Sequence, residues 1–279
     1  MAYTNQDLLN AIAKYNELDP LDDIRDITPD LYSAHEKLIP IFEYFSIEGD
    51  PMASCYLGLC YFRGKGVKAN EIKAEELIKN AAEKGDAFLQ YQYGMFIKRC
   101  YIDVGMGGEY RKLAFDEFLK SAEAGYVPAY YQVADMGYFV DKNRERSFYW
   151  YSKGADAGDV DCIKQVATAY YGGYGVEKDY NKAIEFWQKA YDMGDLGSLA
   201  NIANCYAKGL GVEIDYSKAL KMYKEVIANT KGGTVYYENR VKEIEEELKK
   251  EGRCKYCGGK FKGLFTKKCA DCKKKKDYK

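Results

Sequence analysis

The chain has 279 residues, 47% apolar and 30% charged, with five prolines and a formal net charge of −1. That length and apolar content are enough to bury a substantial core, as one domain or an array of small units, and they exclude disorder over most of the chain. No run of 18 apolar residues exists, which excludes a membrane helix, and the single histidine, His35, leaves catalytic triads and histidine-rich metal sites almost nothing to use. The start, Met1-Ala2-Tyr3-Thr4, has no charged-then-apolar pattern, so a cytoplasmic protein is expected. Charge is uneven. Residues 249–279 hold 13 Lys and Arg against three Asp and Glu, a net of +10, which leaves −11 for residues 1–248. An acidic body thus carries a basic tail, and each has its own electrostatic preference.

In chain order, the first predicted helix covers residues 5–16. Residues 36–49 follow as the second helix of a degenerate helix pair, so that residues 1–49 form an N-terminal cap. His35 precedes that helix with no companion ligand, which favours a surface or packing role. From Asp50 the chain repeats itself. The glycines closing each second helix, Gly49, Gly85, Gly125, Gly158 and Gly194, are 36, 40, 33 and 36 residues apart. A small residue halfway along each first helix, Gly58, Gly94, Ala134, Ala167 and Ala203, drifts by the same intervals. Between the two markers lie Gly64-Lys65-Gly66-Val67, Gly173-Tyr174-Gly175-Val176 and Gly209-Leu210-Gly211-Val212, each followed by Lys-Ala at 73–74, 182–183 or 218–219. Each unit therefore reads helix, glycine turn, helix.

The local chemistry agrees. Asp86, Asp159 and Asp195 directly follow a closing glycine, so the glycine takes the left-handed position and the aspartate caps the next helix. In Asp50-Pro51 the proline stands at the first helical position, where its missing N–H costs nothing. A single pair of this size cannot bury its own apolar face, so neighbours must stack, forming a solenoid with one concave side. Two units depart from the pattern: the second through a longer connection at residues 100–111, the third through a shortened turn at Asp141-Lys142-Asn143.

The recurring Ala53-x3-Leu57-Gly58-x2-Tyr61-x2-Gly64-x-Gly66-Val67, with Lys73-Ala74 and residues 81–86, resembles the Sel1-like repeats, relatives of the tetratricopeptide repeat; residues 167–190 carry the match again. The resemblance implies an all-α fold, a right-handed α/α solenoid of about five helix-turn-helix repeats over residues 50–232. It implies a non-enzymatic adaptor that binds a protein or peptide. If first helices line the concave face, as in related helical repeats, the groove holds Tyr91, Met95 and Arg99, then Tyr131, Asp135, Tyr138 and Phe139, then Lys164, Tyr171 and Asn204. Many of the 28 tyrosines serve core packing. The remainder form an aromatic strip flanked by cations, which suits a protein groove because large, stiff rings give contact area with few torsions to freeze. An ordinary solvated face is the alternative.

Residues 233–250 are expected to be a polar capping helix. The tail, residues 251–279, places Cys254-x2-Cys257 and Cys269-x2-Cys272 eleven residues apart, a spacing suited to four thiolates around structural Zn(II) in a short zinc ribbon. Disulfides and an iron site are the less favoured alternatives. All four metal positions would be filled by protein, which argues for structure over catalysis. The tail's charge keeps open a second function, a nucleic-acid or ribosome-associated factor touching phosphate through these lysines. Cys55, Cys60, Cys100, Cys162 and Cys205 show no pairing interval and are read as small buried residues. Gly105-Met106-Gly107-Gly108 lacks the strand and spacing of a phosphate loop and is read as a flexible connection.

Overall fold

The computed structural model describes residues 2–18, 28–230 and 232–250. Among them the regular structure is helical, with fourteen α-helices, one π-helical turn and no strand. The chain divides into two compact units, residues 1–142 and a second beginning at Asn143.

In unit 1, α1 (Asn5–Leu18), α2 (Pro29–Glu36) and α3 (Ile39–Ile47) precede the repeats. The helix expected over 36–49 is present as α3, with Pro40 in its first turn, and a further short helix, α2, precedes it, capped by Thr28 and started by Pro29. His35 lies inside α2 and is fully buried, its Nδ1 2.8 Å from the Leu31 carbonyl oxygen and its ring edge-on to Tyr15. Its role is packing, and the surface reading is set aside. The repeats follow as α4 (Pro51–Arg63) and α5 (Glu71–Ala82), then α6 (Ala87–Ile97) and α7 (Glu109–Glu123), then α8 (Val127–Asp141). Unit 2 opens with α9 (Arg144–Asp156) and continues through α10 (Val160–Gly172), α11 (Tyr180–Asp192), α12 (Leu196–Lys208), α13 (Tyr216–Asn229) and α14 (Val235–Lys250). The third helix pair is therefore shared out, α8 ending unit 1 and α9 opening unit 2.

The predicted caps are in place. Asp50, Asp86, Asp159 and Asp195 accept from main-chain N–H groups of α4, α6, α10 and α12, at 2.7–3.2 Å. The closing glycines take φ between +84° and +100°. Asn70, Asn143, Asp179 and Asp215 cap the second helices in the same way. Each such cap is worth about 1 kcal/mol, so repetition of two caps per pair largely fixes where helices begin.

The seams are tight where the sequence is small. A Cβ on Gly58 would stand 2.6 Å from Ile78, and one on Gly94 2.7 Å from the Phe118 ring. Phe118 itself is fully buried, and a side chain of that size contributes about 2–3 kcal/mol through burial. In unit 2 one cluster joins Ala167, Ala183, Trp187, Ile202 and Cys205. A second joins α12 and α13 to Ile244 and Leu248 of α14, whose other positions are mostly charged, as a capping helix requires.

Candidate functional site

The second repeat of unit 1 departs most from its neighbours. Where α4, α10 and α12 end on a left-handed glycine and α8 on left-handed Lys142, α6 runs into a π-helical turn, Lys98–Ile102. Tyr101 of that turn stacks on Tyr110 at 4.1 Å and donates to Glu75 at 2.8 Å, which fastens the connection to α5 and α7. The longer connection expected at residues 100–111 is thus partly helical and anchored. Lys98 donates to Gln132 of α8 at 3.0 Å, holding two successive first helices side by side.

Met95, Arg99, Tyr131 and Asp135 are half-buried on this α6–α8 side, while Tyr138 and Phe139 are exposed at the end of α8. Tyr138 and Phe139 meet edge-on at 5.8 Å, Arg111 lies over Phe139 at 5.4 Å and Lys142 over Tyr138 at 5.2 Å. Tyr91 is not part of that open surface. Its ring packs against Phe118 and Tyr126 at 5.6 and 5.2 Å and belongs to the seam between repeats. Tyr126 stands where the other closing glycines are followed by aspartate, and it makes no side-chain cap. Its ring instead touches Phe88 and Tyr91. The break in the Gly-Asp pattern at Gly125-Tyr126 was the sequence signal for this aromatic seam.

In unit 2, Lys164 is engaged twice, with Asp161 at 2.9 Å and Asp195 at 3.3 Å, so it ties α10 to the cap of α12. Those bonds, chiefly the one to Asp161, raise its pKa. Burial alone would raise the Asp195 carboxyl, but bonds from Ser198 and Lys164 hold it below its ordinary value. Tyr171 packs on Tyr180 and Trp187, each at 5.4 Å, and burial raises its phenol against a hydrogen bond with Asn204. The unit 2 members of the predicted set are thus chiefly fasteners between repeats, and the unit 1 set at α6 and α8 is the more open surface.

A tyrosine-lysine clasp recurs twelve residues apart. Lys73 and Lys218 donate to the hydroxyls of Tyr61 and Tyr206 at 2.6 and 2.5 Å, and Lys182 lies over the Tyr170 ring at 5.1 Å. These tyrosines are structural, as expected.

Cys55, Cys60, Cys162 and Cys205 are buried and Cys100 is half-buried, all with free thiols. Burial pushes the Cys205 thiol up to about 11 and Cys100 up to about 12, values that suit packing and not nucleophilic chemistry. A cavity of about 240 Å³ in unit 1 is lined by Tyr93, Glu83, Glu117, Lys79, Lys120, Ala82 and Leu113. Burial, then Glu75, Glu117 and Glu83, pushes the Tyr93 phenol up to about 12. Among the described residues no group of three or more His, Cys, Asp or Glu is placed to hold a metal. Cys254, Cys257, Cys269 and Cys272 lie outside the described residues, as does the basic tail. No helix among the described residues is long and apolar enough to cross a membrane.

The family model described as Sel1 repeat matches residues 51–86, 127–159, 161–195 and 197–225. Residues 87–126, which contain the π-helical turn, fall between the matched segments. Two solved structures share the fold. A Sel1 repeat protein from Oxalobacter formigenes is 24% identical with a TM-score of 0.67, over 89% of this chain and 90% of that one. A protective antigen present in uropathogenic Escherichia coli strains, displaying an SLR fold, is 23% identical with a TM-score of 0.65 over 78% of this chain. Against that antigen the chain spans 48% of the partner's length. No curated protein sequence matches.

Proposed function

We propose that the chain, an all-α array of helix pairs that matches the Sel1 repeat model in four segments, is a Sel1 repeat protein and a non-enzymatic adaptor, since such repeats are often used in protein binding and are generally not catalytic. Its partner is a protein or peptide, and the binding surface is the first-helix side of unit 1. One observation carries the reading: α6 and α8, joined by the Lys98–Gln132 bond, present Met95, Tyr131, Tyr138 and Phe139 with Arg99, Arg111 and Lys142 around them. Rings with cations over their faces give large contact area and polar handles together. Lys164, Tyr171 and Asn204 of unit 2 support the scaffold of that unit.

The test is affinity capture with wild type and with Tyr131→Ala and Tyr138→Ala, identification of the retained protein, and calorimetry with that protein purified. Each variant should lose about 2 kcal/mol of affinity, roughly 30-fold, with helicity and melting unchanged. Ile72→Ala, at an exposed position of the second helix α5, should lose nothing. Equal binding by all three variants refutes the surface.

The four-cysteine motif favours a second, separate property. Two C-x2-C pairs in so short a stretch give Zn(II) its preferred four thiolates, with metal binding as the folding energy of a segment too short for its own core. Elemental analysis of the full chain purified without chelator should find one zinc per chain, lost in Cys254→Ser/Cys257→Ser. Finding no thiophilic metal refutes it.

A further inference from the structure

The second helices of unit 2 begin 36 residues apart, at Arg144, Tyr180 and Tyr216. Gly175 lies against the first of these starts and Gly211 against the second. A Cβ on either would fall 2.1 Å from the Arg144 carbonyl oxygen or 2.7 Å from the Tyr180 Cβ. A left-handed glycine turn therefore covers the start of each of those helices. The same interval places position 247 beside Tyr216, but Glu247 lies inside α14. In place of a turn there is a groove of about 280 Å³, bounded by Ala207 and Tyr216 and by Glu243, Ile244, Glu246 and Glu247 of α14. Arg240 at its edge is paired with Glu243 and faces the Tyr223 hydroxyl.

Glu243, Glu246 and Glu247 thus stand toward the C-terminal end of a helix, where the helix dipole disfavours carboxylates, Glu243 paired with Arg240 and Glu247 with Lys250. The chain continues directly from Lys250 into residues 251–279, which hold 11 Lys and Arg against three Asp and Glu. We propose that the groove is the docking site of this C-terminal segment of the same chain, with Arg253 and Lys255 meeting Glu243, Glu246 and Glu247 and a main-chain carbonyl meeting Arg240. The lengths allow it. Glu243 lies about 10 Å back along the helix from Lys250, at ~1.5 Å per residue, and three to five extended residues reach about 10–17 Å. Gly252 supplies the residue type that reverses the chain after α4, α10 and α12. The dock sets the Cys254-x2-Cys257 pair at the end of unit 2, and lysines engaged there are withheld from phosphate, so a polyanion must compete with the groove. The proposal shares no residue with the α6–α8 surface and stands or falls apart from it.

Zero-length carbodiimide coupling of the full chain, mapped by mass spectrometry on an equal mixture of ordinary and 15N-labelled protein, tests it. Links from Lys255, Lys260 or Lys262 to Glu243, Glu246 or Glu247 should dominate and should join like-labelled peptides. In parallel, the triple variant Glu243→Gln/Glu246→Gln/Glu247→Gln should lose at least ten-fold in deuterium-exchange protection over residues 253–262, as should wild type in high salt. Links scattered over other acidic residues, or links mainly between differently labelled chains, overturn the proposal; the latter would make a second copy the occupant. Protection unchanged in a folded triple variant also overturns it. If the variant unfolds, the wild-type link map alone decides.

Discussion

Substituting alanine at the two glycines of one turn, Gly173 and Gly175, separates backbone conformation from close packing. Both have left-handed backbones, φ +73° and +71°, so both alanines bear the same conformational cost, about 1–2 kcal/mol. Their surroundings differ. A Cβ on Gly173 meets Lys178 Cβ at 3.5 Å, an ordinary contact, whereas one on Gly175 stands 2.1 Å from the Arg144 carbonyl oxygen and 2.4 Å from its carbon. That clash is with main chain, which cannot rotate away, so the turn must move off the start of α9 by more than 1 Å at a cost of roughly 1–3 kcal/mol. Gly175→Ala should therefore be less stable than Gly173→Ala by about 2 kcal/mol, or about 4–8 °C in melting temperature for a body of this size. Urea unfolding followed by circular dichroism gives the totals, and native-state hydrogen exchange shows whether the loss is confined to α9–α11. Gly64→Ala and Gly66→Ala repeat the comparison in unit 1, where the nearest atoms stand at 3.4 Å and 2.3 Å. Equal losses within each pair would refute the idea that the second glycine of the turn is required by its neighbour.

Lys142 is the only non-glycine with positive φ among the described residues, at +59°, so Lys142→Gly should stabilise unit 1 by about 0.5–1 kcal/mol even after losing its place over Tyr138. Asp195→Ala should cost about 1 kcal/mol at neutral pH through loss of its cap to Ser198 and its bond to Lys164. Because the folded state depresses this carboxyl below 3.8, its contribution is complete well above that pH and fades as pH falls through the folded value, so wild type and variant should converge in acid unfolding curves. Alkylation of half-buried Cys100 in the native chain should rise about ten-fold per pH unit between 7 and 10 without a plateau, since burial pushes its thiol up to about 12. A profile that levels off above about 8.5, the unperturbed thiol value, would contradict the upward shift at Cys100.

The helix pairs, their caps and their turns were legible because each rests on interactions within a few residues. A glycine with left-handed φ followed by aspartate closes one helix and opens the next without reference to anything distant. That local grammar fails at two places, and for physical reasons. At the N-terminus, Thr28 and Pro29 start an additional short helix, α2, ahead of the expected one. After α6 no glycine stops the helix, and Tyr101 finds a stacking partner and an acceptor, so the extra residues are absorbed as a π-helical turn. The second glycine of each turn was visible as a letter, but its reason, contact with a helix end some thirty residues earlier (the starts of α9 and α11 for Gly175 and Gly211, the end of α2 for Gly66), depends on the stacking of the folded chain.

The candidate surface was legible as a set of positions and not as a set of roles. Spacing correctly placed Tyr91, Tyr131, Lys164 and Tyr171 on first helices, yet the same residue types serve a seam and an open face equally well. Tyr91 went to the seam because Gly125 is followed by Tyr126 in place of aspartate, which put a second ring within 5.2 Å. Lys164 became a fastener because Asp195, capping the next helix, came within 3.3 Å. Tyr138 and Phe139 stayed exposed because α8 ends beside Lys142, in the repeat that has no glycine turn to cover them. In this chain the exposed pair Tyr138 and Phe139 therefore falls in a repeat without a glycine turn, whereas the regular units use Tyr171 and Lys164 to hold neighbouring helices.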